Sequence, residues 1–298
     1  MKNKIFRLKN TYPMWFLIPG GLVFSIFFVF PTFASFITAF TDWNSFSGSP
    51  LKAAFIGFEN FKKIFIEPSL NIAFRNTFIF AITTTFFKCC LGLFLAILVN
   101  RKLKSQEYLR TIFFFPCILS SVAIGLIFLA MYNPTTGLVN TTLEAIGFGG
   151  LRRDWLGDLN LVIFSVCGAE IWKWSGYNMV IFLAGLTGIP NDVNEAAEID
   201  GCNASQKFLR ITFPLIRNSL NINIVLSIIS GLKVFDIVYA VSRGGPGYAS
   251  DTFNTVIFKK FSQGFYGLST AEGLVLFILI MLIALPLNKY LMKMEISL

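Results

Sequence analysis

Four side chains within one largely apolar segment have the types and spacing needed to hold a polar solute. Glu170, Lys173, Trp174 and Tyr177 recur at three- and four-residue spacing, so on a helix they share one broad face. A stripe of aromatic rings and hydrogen-bonding groups suits a sugar, because the rings stack on its C–H faces while the polar groups serve its hydroxyls. We therefore predict that these residues line a path for a polyhydroxylated solute.

A second polar surface is predicted farther along the chain. Ser227, Ser230 and Gly231 lie within another apolar segment and offer a small polar surface near its middle. Two other ionisable residues in apolar segments, Lys88 and Glu272, are interpreted as structural partners within the helical bundle that these segments are predicted to form. Ionisable groups at membrane depth are costly and tend to mark function, so each of them requires a stated role.

The same residues also have structural interpretations. Glu170 and Lys173, three residues apart, can neutralise each other, and so can Lys233 and Asp236. The aromatic pair can belong to an interfacial belt, and small residues can serve as helix-packing contacts. Both interpretations stay open at the level of sequence.

The composition places the chain in a lipid bilayer. Hydrophobic residues make up 55% and charged residues 14%, whereas soluble domains carry about 25% charged residues. A membrane-spanning helix needs roughly 20 mostly apolar residues, and six such segments recur. They are residues 14–40, 76–99, 111–132, 159–188, 219–241 and 266–287. The sequence thus predicts an all-α membrane protein with six transmembrane helices, in which residues 1–13 precede a membrane domain over residues 14–298.

Basic residues predict the orientation of these spans. They are densest before the first span, between the second and third, between the fourth and fifth, and after the sixth. Lysine and arginine favour the cytoplasmic side, so both termini, and residues 1–13 with them, are predicted to be cytoplasmic. The net charge of +9 is explained by this topology, which leaves no separate patch for nucleic acid.

Several kinds of chemistry have no residues to support them. The chain contains no histidine and no paired-cysteine spacing, so a zinc centre is not expected. The five cysteines fall in predicted spans or on the cytoplasmic side, where thiols stay reduced. No glycine-rich loop followed by Lys-Ser or Lys-Thr is present to cradle a nucleotide phosphate. A membrane-embedded enzyme is therefore disfavoured.

A charged segment over residues 190–215, between the fourth and fifth spans, has the signals of two short helices. Pro190 ends the preceding helix, and Asn191 or Asp192 can cap the next one. Gly201 can close it in the left-handed conformation. Asn203 or Ser205 can begin a second helix, which Pro214 cuts off. By itself this pattern fits either a docking element or an ordinary interfacial loop.

The same segment resembles the EAA motif of permease subunits of binding-protein-dependent ABC importers. The matching residues are Glu195, Ala196, Ala197, Asp200, Gly201, Ala204, Phe208, Ile211 and Pro214. The flanking stretches 40–43, 57–61, 185–190, 232–236 and 244–246 are similar to the carbohydrate-type permeases, in particular the first permease of maltose and glycerol-3-phosphate importers. Cys202, Phe213 and Asn218 depart from the usual pattern, and Asn218 leaves the entry to the fifth span less defined.

The resemblance implies a type I ABC importer permease fold, in a bacterial or archaeal plasma membrane, whose EAA segment forms the coupling helices. It implies these partners: a second homologous permease, two ATPase subunits that bind ATP and Mg, and an extracytoplasmic solute-binding protein. The cargo would be a sugar or oligosaccharide, and this chain would bind no cofactor. The mechanism implied is alternating access, and the polar residues of the fourth and fifth spans match the family's transmembrane sugar site in position.

A non-sugar cargo remains as an alternative within the same importer class. Glycerol phosphate, a peptide or an osmolyte would each be compatible with the coupling segment. An anionic cargo would be expected to recruit arginine, and no arginine lies inside a predicted span. The residues therefore favour a neutral sugar.

Overall fold

The computed structural model describes residues 14–101 and 105–293. The predicted cytoplasmic segment 1–13 lies outside the described residues, as do Lys102 and Lys104, two of the basic residues used to predict the orientation. Within the described residues the chain is helical and has no named strand; Thr41 and Phe55 form one isolated bridge.

The described residues form thirteen helices. They are α1 Leu17–Thr38, α2 Glu59–Ile66, α3 Pro68–Asn100, α4 Gln106–Ile118, α5 Ser121–Met131, α6 Leu138–Ala145, α7 Val162–Thr187, α8 Asn191–Ile199, α9 Ala204–Leu215, α10 Arg217–Leu232, α11 Asp236–Val241, α12 Phe253–Ser262 and α13 Tyr266–Met292. Short 3₁₀ turns lie at Met14–Phe16, Pro50–Lys52 and Gly149–Leu151.

The chain divides into two compact units. One comprises the described residues up to Ile66 together with Ile257–Val275, and the other comprises Glu67–Val256 together with the described residues from Leu276 onward. In the first unit, α1 has no buried residue, and apolar side chains cover its surface. Asn60 on α2 is buried, and its amide donates to the carbonyls of Ala39 and Thr41 at 3.0 and 2.8 Å, which fixes the loop that follows α1.

Two π-helical stretches each end two residues before a proline. In α1 the stretch is Ser25–Val29, before Pro31, and in α9 it is Phe208–Thr212, before Pro214. A proline has no N–H and its ring displaces the carbonyl four residues earlier, so the helix widens locally instead of breaking. Pro214 therefore lies within the last turn of α9, which ends at Leu215.

In the second unit, α3 packs along α7 and α10. Small residues allow the close approach, as is common between membrane helices. A Cβ on Gly92 of α3 would lie 2.7 Å from Asn178 Cβ, and one on Gly231 of α10 would lie 2.7 Å from Ala81 Cα. A Cβ on Gly176 of α7 would collide with the Phe113 carbonyl of α4.

The third and fifth predicted spans are not single helices. The chain turns by 97° between α4 and α5, because Leu119 and Ser120 are extended and the Ser120 hydroxyl caps α5. In the fifth span, Lys233–Phe235 separate α10 from α11. Their freed carbonyls accept remote side chains: Asn254 bonds to Lys233 at 2.8 Å and Thr252 bonds to Val234 at 3.2 Å. The prediction of two continuous helices was therefore wrong.

By length and composition, α1, α3 and α13 can cross a membrane, and each of the bent pairs α4–α5 and α9–α10 could form one further span. The 26-residue α7 is about 39 Å long at 1.5 Å per residue, which is long enough, but it is not among the helices apolar enough to qualify. Within the described residues the count thus reaches three to five, and six spans are not confirmed.

Candidate functional site

A polar layer separates two apolar clusters in the second unit. One cluster contains Phe80 of α3 and residues 163–169 of α7, and the other contains residues 89–99 of α3 and residues 179–186 of α7. Between them, buried polar side chains project from both helices. Buried polar groups are costly unless they are hydrogen-bonded, so the layer is a place where binding chemistry can be expected.

A cavity of about 200 Å³ opens at this layer, between α3, α7 and α10. Its lining combines two aromatic rings, one leucine and five polar side chains: Lys88, Trp174, Tyr177, Asn178, Asn223, Leu226, Ser227 and Ser230. The rings of Trp174 and Tyr177 meet edge to face, with centroids 5.8 Å apart. Apolar walls with a few fixed polar groups are typical of small-molecule sites.

Hydrogen bonds fix three polar residues of the cavity lining, Asn178, Asn223 and Ser227. The Ser227 hydroxyl donates to Asn178 Oδ1 at 3.3 Å, and the Asn178 amide donates to the Trp174 carbonyl at 3.1 Å. Asn223 Nδ2 donates to the Asn178 carbonyl at 3.4 Å. Asn223 is only 1% exposed, yet its Oδ1 has no hydrogen-bond partner among the described residues. A buried acceptor without a partner is rare, and Asn223 is one of the residues that line the cavity.

Lys88 is the charged residue of the cavity wall. Its Nζ lies 3.5 Å from Glu170 Oε1 and 3.5 Å from Ser230 Oγ. The ion pair of Glu170 is thus made with Lys88, 82 residues away in the chain, and not with Lys173 on its own helix. Lys173 instead donates to Ser121 Oγ at 2.6 Å and lies over the Trp174 ring at 5.2 Å.

Four of the predicted path residues line the cavity: Trp174, Tyr177, Ser227 and Ser230. Glu170 lies behind Lys88, Lys173 lies at the α4–α5 bend, and Gly231 packs against Ala81. Lys233 and Asp236 are both exposed, and Glu272, in the other unit, is fully buried.

The segment 190–215 forms a helix pair with defined caps. Gly201, at φ +72°, closes α8: its N–H bonds to the Glu198 carbonyl at 3.1 Å, and the Cys202 N–H bonds to the Ala197 carbonyl at 3.0 Å. This is the Schellman arrangement. No atom lies within 4 Å of a Cβ placed on Gly201, so the backbone conformation, not space, requires glycine.

Reciprocal capping begins α9. Asn203 Oδ1 accepts from the Gln206 N–H at 2.8 Å, and Gln206 Oε1 accepts from the Asn203 N–H at 3.0 Å, which is a capping box. Of the two predicted N-cap residues, Asn203 is thus the one used. The predicted capping of α8 by Asn191 or Asp192 was wrong, because Pro190 occupies the N-cap position without a side-chain bond.

The predicted coupling residues differ in exposure. Ala197 is buried, whereas Phe208, Ile211 and Pro214 are half-buried. The others are exposed and open to a partner: Glu195, Ala196, Asp200, Gly201 and Ala204. Lys207 Nζ and Glu198 Oε1, 3.0 Å apart, join the two helices, although an exposed ion pair contributes little.

Comparison with known proteins identifies the family. Residues 88–292 match the family of inner membrane components of binding-protein-dependent transport systems. The chain is 34% identical to the probable ABC transporter permease protein YurN of Bacillus subtilis, over 93% of this chain and 95% of that one. The chain belongs to this permease family.

Two other relatives bear on this permease. The trehalose/maltose transport system permease protein MalF of Thermococcus litoralis is 30% identical, over 94% of this chain and 92% of that one. A crystal structure of a bacterial ABC transporter involved in the import of the acidic polysaccharide alginate superposes with a TM-score of 0.81 at 25% identity, covering 93% and 94% of the two chains. The predicted family and all-helical ABC importer permease fold are confirmed.

The permease is a transport subunit and not an enzyme. The described residues contain no group of three or more His, Cys, Asp or Glu side chains that could hold a metal ion. A second cavity of about 430 Å³, lined by residues such as Phe86, Leu93, Phe213 and Ile224, is almost wholly apolar. It offers a polar solute few partners, so the Trp174 cavity is the candidate cargo site.

Sequence reasoning missed four lining residues of this permease: Lys88, Asn178, Asn223 and Leu226. Lys88, predicted to be a structural partner, lines the cavity as well. Asn178 and Asn223 each lie four residues from a predicted path residue, Trp174 or Ser227, and so on the same helical face. That spacing was the signal available in the sequence.

Proposed function

We propose that this permease carries a sugar or oligosaccharide through the Trp174 cavity by alternating access. The observation that carries the proposal is the cavity itself, in which two aromatic rings stand beside hydroxyl, amide and ammonium groups. Rings can stack on the apolar faces of a sugar, while the Ser227 and Ser230 hydroxyls and the unpaired Asn223 acceptor serve its hydroxyls. The relatives named for trehalose, maltose and alginate support the same class of cargo.

The energy for transport comes from separate subunits in this proposal. Two ATPase subunits bind ATP and Mg, and their closure moves the helix pair α8–α9. The exposed Glu195, Ala196 and Asp200 are the contacts, and Gly201 sets the angle between the two helices. A bent pair whose junction is capped at Gly201 and Asn203 is stiff enough to transmit such motion to α7 at one end and to α10 at the other.

A second, homologous permease completes the path. The Trp174 cavity is open at the surface of this chain, where Tyr177 is 38% exposed, so another surface is needed to enclose a cargo. A solute-binding protein delivers the cargo from outside, as the family's dependence on binding proteins indicates. Both termini face the cytoplasm in this arrangement, on the basis of the positive charges near the helix ends.

Uptake assays test the proposal: cells that lack this permease are compared with the same cells expressing the chain or its variants. We expect import of at least one of trehalose, maltose or alginate oligosaccharides to require the chain. Trp174→Ala should weaken this import roughly twofold to twelvefold, since an aromatic contact contributes about 0.5–1.5 kcal/mol. Trp172→Ala is the matched control, because Trp172 contacts Phe128 instead and does not line the cavity. Both variants should assemble with the ATPase subunits. Import that is independent of the chain, or unchanged in Trp174→Ala, would contradict the proposal.

A further inference from the structure

Lys88 and Glu170 form a buried ion pair at the wall of the cargo cavity. Their side chains are 2% and 7% exposed, and Nζ and Oε1 lie 3.5 Å apart. The two groups differ in one respect: Lys88 lines the cavity, whereas Glu170 does not. The carboxylate therefore acts on a solute through its electric field and not by direct contact.

The ion pair determines the electric field that acts on a solute in the cavity. A lone buried ammonium would attract anions strongly, because charge interactions are weakly screened away from water. With Glu170 behind it, Lys88 still donates hydrogen bonds, for example to Ser230 Oγ at 3.5 Å, but the field of the pair falls off steeply. Lys173 also acts electrostatically on the Glu170 carboxylate, but its ammonium is held by Ser121 Oγ at 2.6 Å on α5 and is absent from the cavity lining.

The fold does not determine whether the cargo is charged. Relatives with the same architecture include one named for trehalose and maltose, which are uncharged, and one involved in the import of acidic alginate. Any discrimination by charge within the permease therefore has to come from local residues. In the cavity of this chain, the one ionisable side chain that forms an ion pair is Lys88.

We propose that Glu170 is a specificity-determining residue that neutralises Lys88 and so adapts the cavity to uncharged, hydroxyl-rich solutes. Without Glu170, the same cavity would favour carboxylated or phosphorylated solutes. This inference rests on the proposed function, because it assigns a cargo class to the same site. It also explains how a lysine can line a sugar site without making it an anion site.

Thiol modification measures the field in the cavity without knowledge of the cargo. Ser230→Cys is introduced into the full chain, in membranes containing the assembled importer, with the five native cysteines replaced by alanine. The thiol is treated with an anionic sulfonate or a cationic trimethylammonium methanethiosulfonate reagent, and the adduct on this chain is followed by mass. Because both reagents attack the same thiolate, the ratio of their rates reports the field and not the thiolate fraction.

We expect Glu170→Gln to raise the anionic-to-cationic rate ratio about tenfold, because a charge a few ångströms away interacts with a reagent by more than 1 kcal/mol at intermediate dielectric. Lys88→Gln should lower the ratio by a similar factor, and the double variant should restore it. These two variants keep the test decisive if Glu170→Gln does not fold. Thr136→Cys, in an exposed loop, is the control site, and its ratio should not respond to either substitution.

Two results would overturn the inference in different ways. If the thiol of Ser230→Cys is reactive but its rate ratio is the same in all four backgrounds, Glu170 does not set the charge of the cavity, while the proposed function would stand. If that thiol reacts with neither reagent, solutes do not reach this cavity, and the proposed function would fall with the inference.

Discussion

At the scale of single residues, Asn223 is the most informative side chain of the cavity. Its amide nitrogen is bonded to the Asn178 carbonyl, whereas its oxygen has no partner among the described residues. A buried polar atom without a partner costs about 1–3 kcal/mol. Such a cost is retained where the atom has a role in a complex, so Asn223 is expected to accept a hydrogen bond from cargo.

Asn223→Leu should therefore weaken transport without lowering the thermal stability of the protein. Leucine has a similar shape and removes the unpaired acceptor, so the apparent melting temperature of the purified protein should stay constant or rise. The KM for uptake should increase roughly fivefold to tenfold, which corresponds to the loss of one hydrogen bond of about 1–1.5 kcal/mol. Asn218→Leu, at an exposed position of the same helix, provides the control. Lower stability together with unchanged uptake would identify Asn223 as structural.

At the scale of helices, close packing through glycine determines where α3, α4, α7 and α10 meet. Gly92, Gly176 and Gly231 each lie where a Cβ would overlap a neighbouring helix. Gly231, a predicted residue of the solute path, therefore makes a packing contact instead. Gly273 of α13 has no atom within 4 Å of an added Cβ and can be used for comparison.

Alanine at these two glycines should have opposite effects on stability. Gly231→Ala forces α10 away from Ala81 and should destabilise the protein by about 1–3 kcal/mol, as overpacking does. Gly273→Ala meets no obstacle and should stabilise its helix by about 0.5–1 kcal/mol, because alanine loses less backbone entropy than glycine. Thermal unfolding in one detergent measures both. Equal shifts in melting temperature for the two variants would mean that α3 and α10 do not approach as closely as described.

The turn between α8 and α9 is also a helix-scale feature. Gly201→Val places a β-branched residue at φ +72°, a conformation that only glycine, and to some extent asparagine, adopts without strain. We expect ATPase activity to become uncoupled from uptake while the amount of protein in the membrane stays normal. Gly201→Asn should retain most of the coupling, since asparagine tolerates the left-handed region. Normal coupling in Gly201→Val would argue against a rigid connection.

At the scale of the whole molecule, similarity extends over more than nine-tenths of the chain. The relatives thus account for both compact units, including α1, which has no buried residue within this chain. An apolar helix exposed on all sides is suited to lipid or to another subunit. Orientation in the membrane then decides which loops meet the ATPase subunits.

Labelling of Cys202 tests that orientation. In a variant that keeps Cys202 and replaces the other four cysteines with alanine, a membrane-impermeant maleimide should label inside-out vesicles and spare right-side-out vesicles. Thr136→Cys, placed in a loop predicted to face outward, should show the reverse pattern once Cys202 is also removed. Labelling of Cys202 from the outside would invert the topology and remove the coupling role of residues 190–215.

Much of this protein could be predicted from local sequence. Apolar run length predicted helices at all six segments, and Gly201 and Asn203 marked the turn between α8 and α9, because caps depend on neighbours only a few residues away. The breaks in the third and fifth segments could not be predicted in this way. In the fifth segment the freed carbonyls bond to Thr252 and Asn254, and hydropathy does not show that such remote partners exist.

The sequence by itself determined the class of the protein, its helical content and the turn between α8 and α9, since each follows from composition or from contacts within a few residues. The tertiary structure alone decided the composition of the cavity. It paired Glu170 with Lys88 across 82 positions, moved Lys173 to the α4–α5 bend, and left Asn223 with an open acceptor. The physical reason is that charges and amides at membrane depth bond to whatever the packing of helices brings within reach, and packing depends on small residues distributed over the whole chain.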